Sequence, residues 1–208
     1  MLQRPRPPAH LVEKLRHPAG FEPAPELEHW ARETFTAAGA QLENSEHRHL
    51  RLARVGFLWT NVANSRGGSG IVGTAEIPSV KGGKWLRGRL EYQLCEWFGD
   101  VPDFLVTLDA VYARQVDDAG FCSLVEHELY HCGQARDKYG CPKFRKDGSP
   151  VFSMRPHDVE EFVGVVRRYG IAAAAGRTAD LVLAANLPPS IAPAQIAAAC
   201  GACLRIAA

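Results

Sequence analysis

The sequence predicts an α+β domain, a small mixed sheet packed against a few helices. Three observations carry that prediction. Strand-like runs at His49–Val62, Ile71–Ile77 and Asp103–Asp109 are interleaved with helical stretches. The stretch Trp85–Phe98 spaces Leu86, Leu90, Leu94 and Trp97 like one face of a helix. Two further helices, Val116 to about Cys132 and His157–Gly170, carry histidines and acids where an ordinary core helix would not.

Taken in chain order, residues 1–23 are rich in Pro and Arg and are expected to be a flexible N-terminal segment. Pro25–Gly39 reads as a first helix, with Leu27, Trp30, Ala31, Phe35 and Ala38 near helical spacing. In His49–Val62, Leu50, Leu52, Val55, Phe57 and Trp59 give strand character. The turn Arg66-Gly67-Gly68-Ser69-Gly70 then leads into Ile71–Ile77, and these two strands are expected to form a hairpin. The same glycines match G-x-G-x-x-G from Gly68 to Gly73. A dinucleotide fingerprint must open a helix, and here a strand follows, so hairpin glycines are the better reading. After the Trp85–Phe98 helix, Asp103–Asp109 is a strand with a continuous apolar centre. Asp117 and Asp118 suit the N-terminus of the next helix, and Gly133 is a stop signal for it. Residues 133–156 read as irregular, with Gly140, Pro142, Gly148 and Pro150 as turn signals. Residues 171–208 are Ala-rich with a break at Pro188-Pro189 and read as a helical extension of two short helices packed on the body or as a partly mobile tail, leaving 24–170 as the central domain.

Composition narrows the function classes. The 208 residues are 46% hydrophobic and 23% charged, as in an ordinary globular protein. The net charge of +1 gives no global case for nucleic acid or an anionic membrane. No apolar run reaches transmembrane length. The start of the chain lacks the apolar core of a secretory signal, so a cytoplasmic location and reduced thiols are expected for the six cysteines. Cys200-Gly201-Ala202-Cys203 is a lone C-x-x-C without the second pair that a structural zinc site requires.

The chemistry concentrates in His127-Glu128-Leu129-Tyr130-His131. On a helix, residues i and i+4 share a face, so His127 and His131 can hold one metal ion, Zn²⁺ by this pattern. Glu128 stands beside them, placed to act as general base towards water activated at the metal. The bland alternative is a chance match on a solvated helix. A catalytic zinc takes three protein ligands, and the motif supplies two. His157 is the only downstream histidine and follows Pro156 at a chain corner. It is the favoured third ligand, with Glu160, Glu161 and Asp158 as alternatives. Capping of a helix N-terminus explains those acids but not the histidine. His10, His17, His29, His47 and His49 are expected at the surface. Neither Tyr130 nor Tyr139, Tyr169 or Arg155 sits in a pattern that marks an oxyanion stabiliser.

Together, Val55-Gly56-Phe57-Leu58-Trp59, Glu126–Cys132 and His157-Asp158-Val159-Glu160-Glu161-Phe162 with Arg168-Tyr169-Gly170 resemble the putative phage metallopeptidase family. The resemblance covers Val55 to Gly170. It implies a minimal zincin-like fold, with the metal between the H-E-x-x-H helix and a second metal-side helix. It implies a peptide or protein substrate extended along an edge strand, for which Phe104–Ala110 is the candidate. A more distant similarity is to SprT-like proteases, although here the spacing from His157 to Phe162 is one residue longer than in their pattern. Two rivals follow. One is a catalytically silent, metal-stabilised binding module acting on a phage or host protein, which the intact Glu128 argues against. The other is DNA-associated proteolysis, suggested by Lys81, Lys84, Arg87 and Arg89 around Trp85; a solvated helix start explains these as well. Nothing in the sequence fixes the oligomeric state.

Overall fold

The computed structural model describes residues 3–13, 20–79, 81–159, 166–168 and 177–200. Its centre is a four-stranded mixed sheet in the order β1 (Phe21–Pro23), β2 (Val55–Thr60), β6 (Phe104–Asp109), β5 (Gly73–Glu76). The pair β2–β6 is parallel, while β1–β2 and β5–β6 are antiparallel. The α+β expectation and the small mixed sheet are therefore met.

Three details differ from the sequence reading. The segment His49–Val62 is not all strand. Ser45–Leu52 winds as a 3₁₀ helix, capped by the Asn44 side chain accepting from the Glu46 N–H, and the strand starts at Val55. Second, β2 and Ile71–Ile77 form no hairpin, because β6 lies between β2 and β5. The glycine-rich turn instead closes a small hairpin within the connection, β3 (Asn64–Arg66) with β4 (Ser69–Ile71). Gly67 and Gly68 both take positive φ, 58° and 85°, as a two-residue hairpin loop demands. Third, Phe104–Ala110 cannot be the open edge, since β6 is paired on both sides. The outer strand next to it is β5.

Alternation along β2 and β6 sends side chains to two faces. Phe57, Trp59, Phe104, Val106 and Leu108 join the main core, with Leu27, Trp30 and Phe35 from the first helix region. That region is α2 (Pro25–Ala31), continued by a wider π turn over Arg32–Thr36. Leu58 and Leu105 point the other way and meet Leu94 of α3 (Lys84–Phe98). Helix α3 packs only through its C-terminal half. Leu86, expected on its apolar stripe, is 45% exposed, and Trp85 is 90% exposed.

The metal-motif helix α5 (Asp118–His131) lies on the main core face and buries Phe121, Cys122, Val125 and Leu129. Asp117 caps it, accepting from the Gly120 N–H at 2.7 Å. A separate short helix, α4 (Ala110–Gln115), precedes it, capped by Asp109. The N-terminal segment carries a short helix, α1 (Ala9–Val12), with Leu11 in the core. Arg4 is 4% exposed, pairs with Asp118 at 2.8 Å, and donates to the carbonyls of Ala113 and Val116. At the far end, the helix Pro193–Cys200 packs on α5. No helix among the described residues is long and apolar enough to cross a membrane.

Candidate metal centre

Helix α5 ends abruptly at its last histidine, and the way it ends builds the site. The chain leaves the helix directly into β7 (Cys132–Gln134), which pairs antiparallel with β8 (Phe152–Met154). Gly133 is not a left-handed stop residue. Its role is close approach, since a Cβ there would stand 3.0 Å from the Ser153 carbonyl oxygen and 3.2 Å from Arg155 Cβ. The ladder returns the chain to the helix terminus, where the Arg155 N–H donates to the His131 carbonyl at 2.9 Å. Two residues later comes His157. It stands in irregular chain after β8 rather than inside a helix. The expected helix His157–Gly170 lies mainly outside the described residues, of which 166–168 are helical.

His127, His131 and His157 are brought together. The His127 Nε2 lies 3.2 Å from the Nε2 of His131 and 3.2 Å from that of His157. The ring nitrogens of all three fall within 4.8 Å of one another. Of the sequence alternatives, Asp158 is turned to other work: both its oxygens accept from Arg155 Nη2 at 3.0 Å, and Arg177 lies 3.3 Å away. These cations hold its carboxyl below the usual range. Glu160, Glu161 and Tyr169 lie outside the described residues, as do His17 and Cys203.

The donor set suits a cation. His131 Nδ1 lies 2.7 Å from the Arg155 carbonyl oxygen, which can only accept. Nδ1 therefore carries the proton, and in the neutral ring Nε2 presents its lone pair to the site. Burial, and then the neighbouring His131 and His157, keep the His127 pKa below its ordinary value. The three rings thus turn nitrogens towards one point, where a cation could be held.

Glu128 occupies the opposite environment. It is 3% exposed, and burial raises its carboxyl to about 7, while His131 opposes that rise. A carboxylate with a pKa near neutrality is matched to taking and returning a proton. It faces the edge strand. A Cβ on Gly73 would stand only 2.6 Å from Glu128 Oε1 and 2.9 Å from Leu124 Cδ1. The absence of a side chain at Gly73 is what lets β5 lie against this carboxyl.

Sequence reasoning missed the support around the site. His47, expected at the surface, is 1% exposed and packs edge-on against Tyr130 at 4.7 Å between ring centres. The Asn44 amide donates to Tyr130 Oη at 2.7 Å and to Glu126 Oε1 at 2.8 Å. Burial opposes ionisation of Glu126, but the His47 and Asn44 side chains outweigh it and lower its pKa. His49 is half-buried, with Nε2 2.7 Å from the Cys132 carbonyl oxygen. Arg155 lies over the Tyr130 ring and beside Glu46 at 3.6 Å. The sequence signal for this layer was faint: an Asn before a short polar helix, and a lone Arg before Pro156.

Two imidazoles on one helix, a third returned to them by a β ladder, and a buried carboxyl beside them form a three-histidine cluster that could hold a metal ion. The chain belongs to the family described as putative phage metallopeptidase, whose profile matches residues 26–186. That range takes in all four residues and the strands that position them. No curated protein and no solved structure matches the chain.

Proposed function

We propose that the protein is a zinc-dependent peptidase of minimal zincin-like architecture, with His127, His131 and His157 as the metal ligands and Glu128 as general base. The observation that carries this reading is the juxtaposition of three converging imidazoles with a buried carboxyl whose pKa is raised to about 7. A structural metal site has no use for such a carboxyl. Zinc held by three protein ligands keeps one position open, polarises a carbonyl and lowers the pKa of water.

The chain's own residues supply the rest. Glu128 accepts the proton of the attacking water and delivers it to the leaving amine. Arg155, through its carbonyl, fixes the His131 ring and its tautomer, and Asp158 and Glu46 hold Arg155 in turn. The extended substrate pairs with β5, the outer strand of the sheet among the described residues, and not with β6. Gly73 begins that strand beside Glu128, so a peptide hydrogen-bonded there passes over the base and the metal.

Zinc-loaded protein incubated with a randomised peptide library, with cleavage mapped by mass spectrometry, tests the proposal. Cleavage that vanishes in Glu128→Gln at unchanged zinc content is the expected result. A zinc-free preparation that stays zinc-free on titration, or cleavage indifferent to Glu128→Gln, would overturn it.

A further inference from the structure

The circumference of α5 sorts its residues into sectors, since successive residues advance by about 100°. Phe121, Val125 and Leu129 face the core. Leu124 and Glu128 face Gly73 of β5. His127 and His131 form the next sector, towards His157. Beyond them, on the side of the metal cleft away from β5, Ser123, Glu126 and Tyr130 line a groove of about 310 Å³. His127 and Tyr130 line this groove as well as the metal cleft, so the two adjoin.

The opposite wall of the groove is aliphatic. It is made by Leu42, from the turn after the π segment, and by Ile191 and Ile196. Ile196 belongs to the helix Pro193–Cys200, and Ile191 to the short segment before it. Both lie beyond the residues 26–186 matched by the family profile. The wall is held in place. Trp30 Nε1 donates to the Ala199 carbonyl at 3.1 Å, the Arg4 N–H donates to the Cys200 carbonyl at 2.9 Å, and Cys200 Sγ touches Cys122 Sγ at 3.5 Å. The polar side of the groove is already committed, because the Glu126 carboxylate accepts from Asn44, which also donates to Tyr130. Beside His127, the wall that faces these committed groups is aliphatic.

We infer that this groove is the specificity pocket of the peptidase proposed above, and that it takes an aliphatic side chain flanking the scissile bond. A peptide paired with β5 sends alternate side chains to the two faces of the sheet, one of which carries α5. The groove lies on that helix beside His127 and offers an aliphatic wall to such a side chain. The selectivity is thus built by the C-terminal helix, a part of the chain outside the family match, and not by the motif helix alone.

The test uses metal-binding probes that differ only in the side chain set beside the ion. Leucine hydroxamate and asparagine hydroxamate, of similar shape, are titrated by calorimetry into zinc-loaded protein. Leucine hydroxamate is expected to bind about 10-fold tighter, the discrimination that burial of part of an aliphatic side chain supports. That preference should disappear in Ile196→Asp at unchanged zinc content and circular dichroism. Should Ile196→Asp fail to fold, Ile191→Asp, at a half-buried position, serves in its place. Equal affinity for the two probes in the wild type, or a leucine preference that survives the Asp variant, would overturn the pocket and leave the peptidase reading intact. Failure of both probes to bind zinc-loaded protein would instead remove the open metal position, and both proposals with it.

Discussion

Helices α3 and α5 lie on opposite faces of one sheet, and their sequences advertise them in opposite ways. Helix α3 has the clean amphipathic stripe, yet of Leu86, Leu90, Leu94 and Trp97 only Leu94 is fully buried. Helix α5 mixes Glu126, His127, Glu128 and His131 with its apolar residues, yet it buries Phe121, Val125, Leu129 and Glu128 itself. A periodic stripe tells which side of a helix is inward, and not how far along its length a partner extends. A polar residue inside a buried pattern tells more, because placing a carboxyl there costs stability and marks a candidate site.

The strongest way to break the comparison is at Glu128. Glu128→Gln should lower peptide hydrolysis by about 10²–10⁴-fold with zinc retained, measured as turnover on a cleaved library peptide. The same substitution has a stability signature in the metal-free chain. Because burial raises the Glu128 carboxyl from 4.5 to about 7, the folded state holds a proton that the unfolded state has released, and stability falls as pH rises through that window. Metal-free Glu128→Gln should therefore exceed wild type by up to about 3 kcal/mol at about pH 8 and lose that advantage below about pH 4. Denaturant melts across pH that run parallel for the two proteins would show that Glu128 is not strained by burial.

His131→Ala removes a proposed ligand whose Nδ1 is held by the Arg155 carbonyl, and its loss of zinc affinity should exceed the roughly 10–100-fold typical of supporting residues. Competition with a chromogenic chelator measures it, and an unchanged affinity removes His131 from the site. Gly73→Ala sharpens the contrast between edge strand and helix. Its Cβ, 2.6 Å from Glu128 Oε1, should displace the carboxyl and cost about 100-fold in turnover, with zinc binding little changed. A fully active variant would show that turnover does not depend on the position in which Gly73 lets the Glu128 carboxyl lie. The smallest effect separates the two halves of α3. Leu94→Ala should cost about 2–5 kcal/mol in unfolding free energy, and Leu86→Ala no more than about 0.5 kcal/mol.

The motif helix and its capping aspartate were legible because each depends on local chemistry: i,i+4 spacing and an acid before a helix. His157 stood out as the sole downstream histidine, but the β7–β8 ladder that returns it to the helix was not legible. The strand order was not legible. Nothing local to Ile71–Ile77 reveals that Phe104–Asp109 will insert between it and β2, since register is decided by long-range pairing. His47 was misplaced for the same reason. A histidine in a charged stretch, Glu46-His47-Arg48-His49, reads as surface until Tyr130 is known to lie over it. Gly133 showed the right residue for the wrong reason, because helix stops and strand contacts select glycine alike.

The β7–β8 ladder also separates two kinds of sequence. Everything needed to place His157 is complete once Cys132–Gln134 meets Phe152–Met154, and residues 135–151 emerge from that ladder and return to it across paired strands. Their turns at Gly140 and Gly148 and their exposed Tyr139 and Phe144 contribute no atom to the three imidazoles. Closing a longer loop costs only about 0.6 kcal/mol per doubling of its length. This excursion is therefore a natural graft point, where an inserted module or a shortened turn can be exchanged while the geometry of the histidines stays fixed.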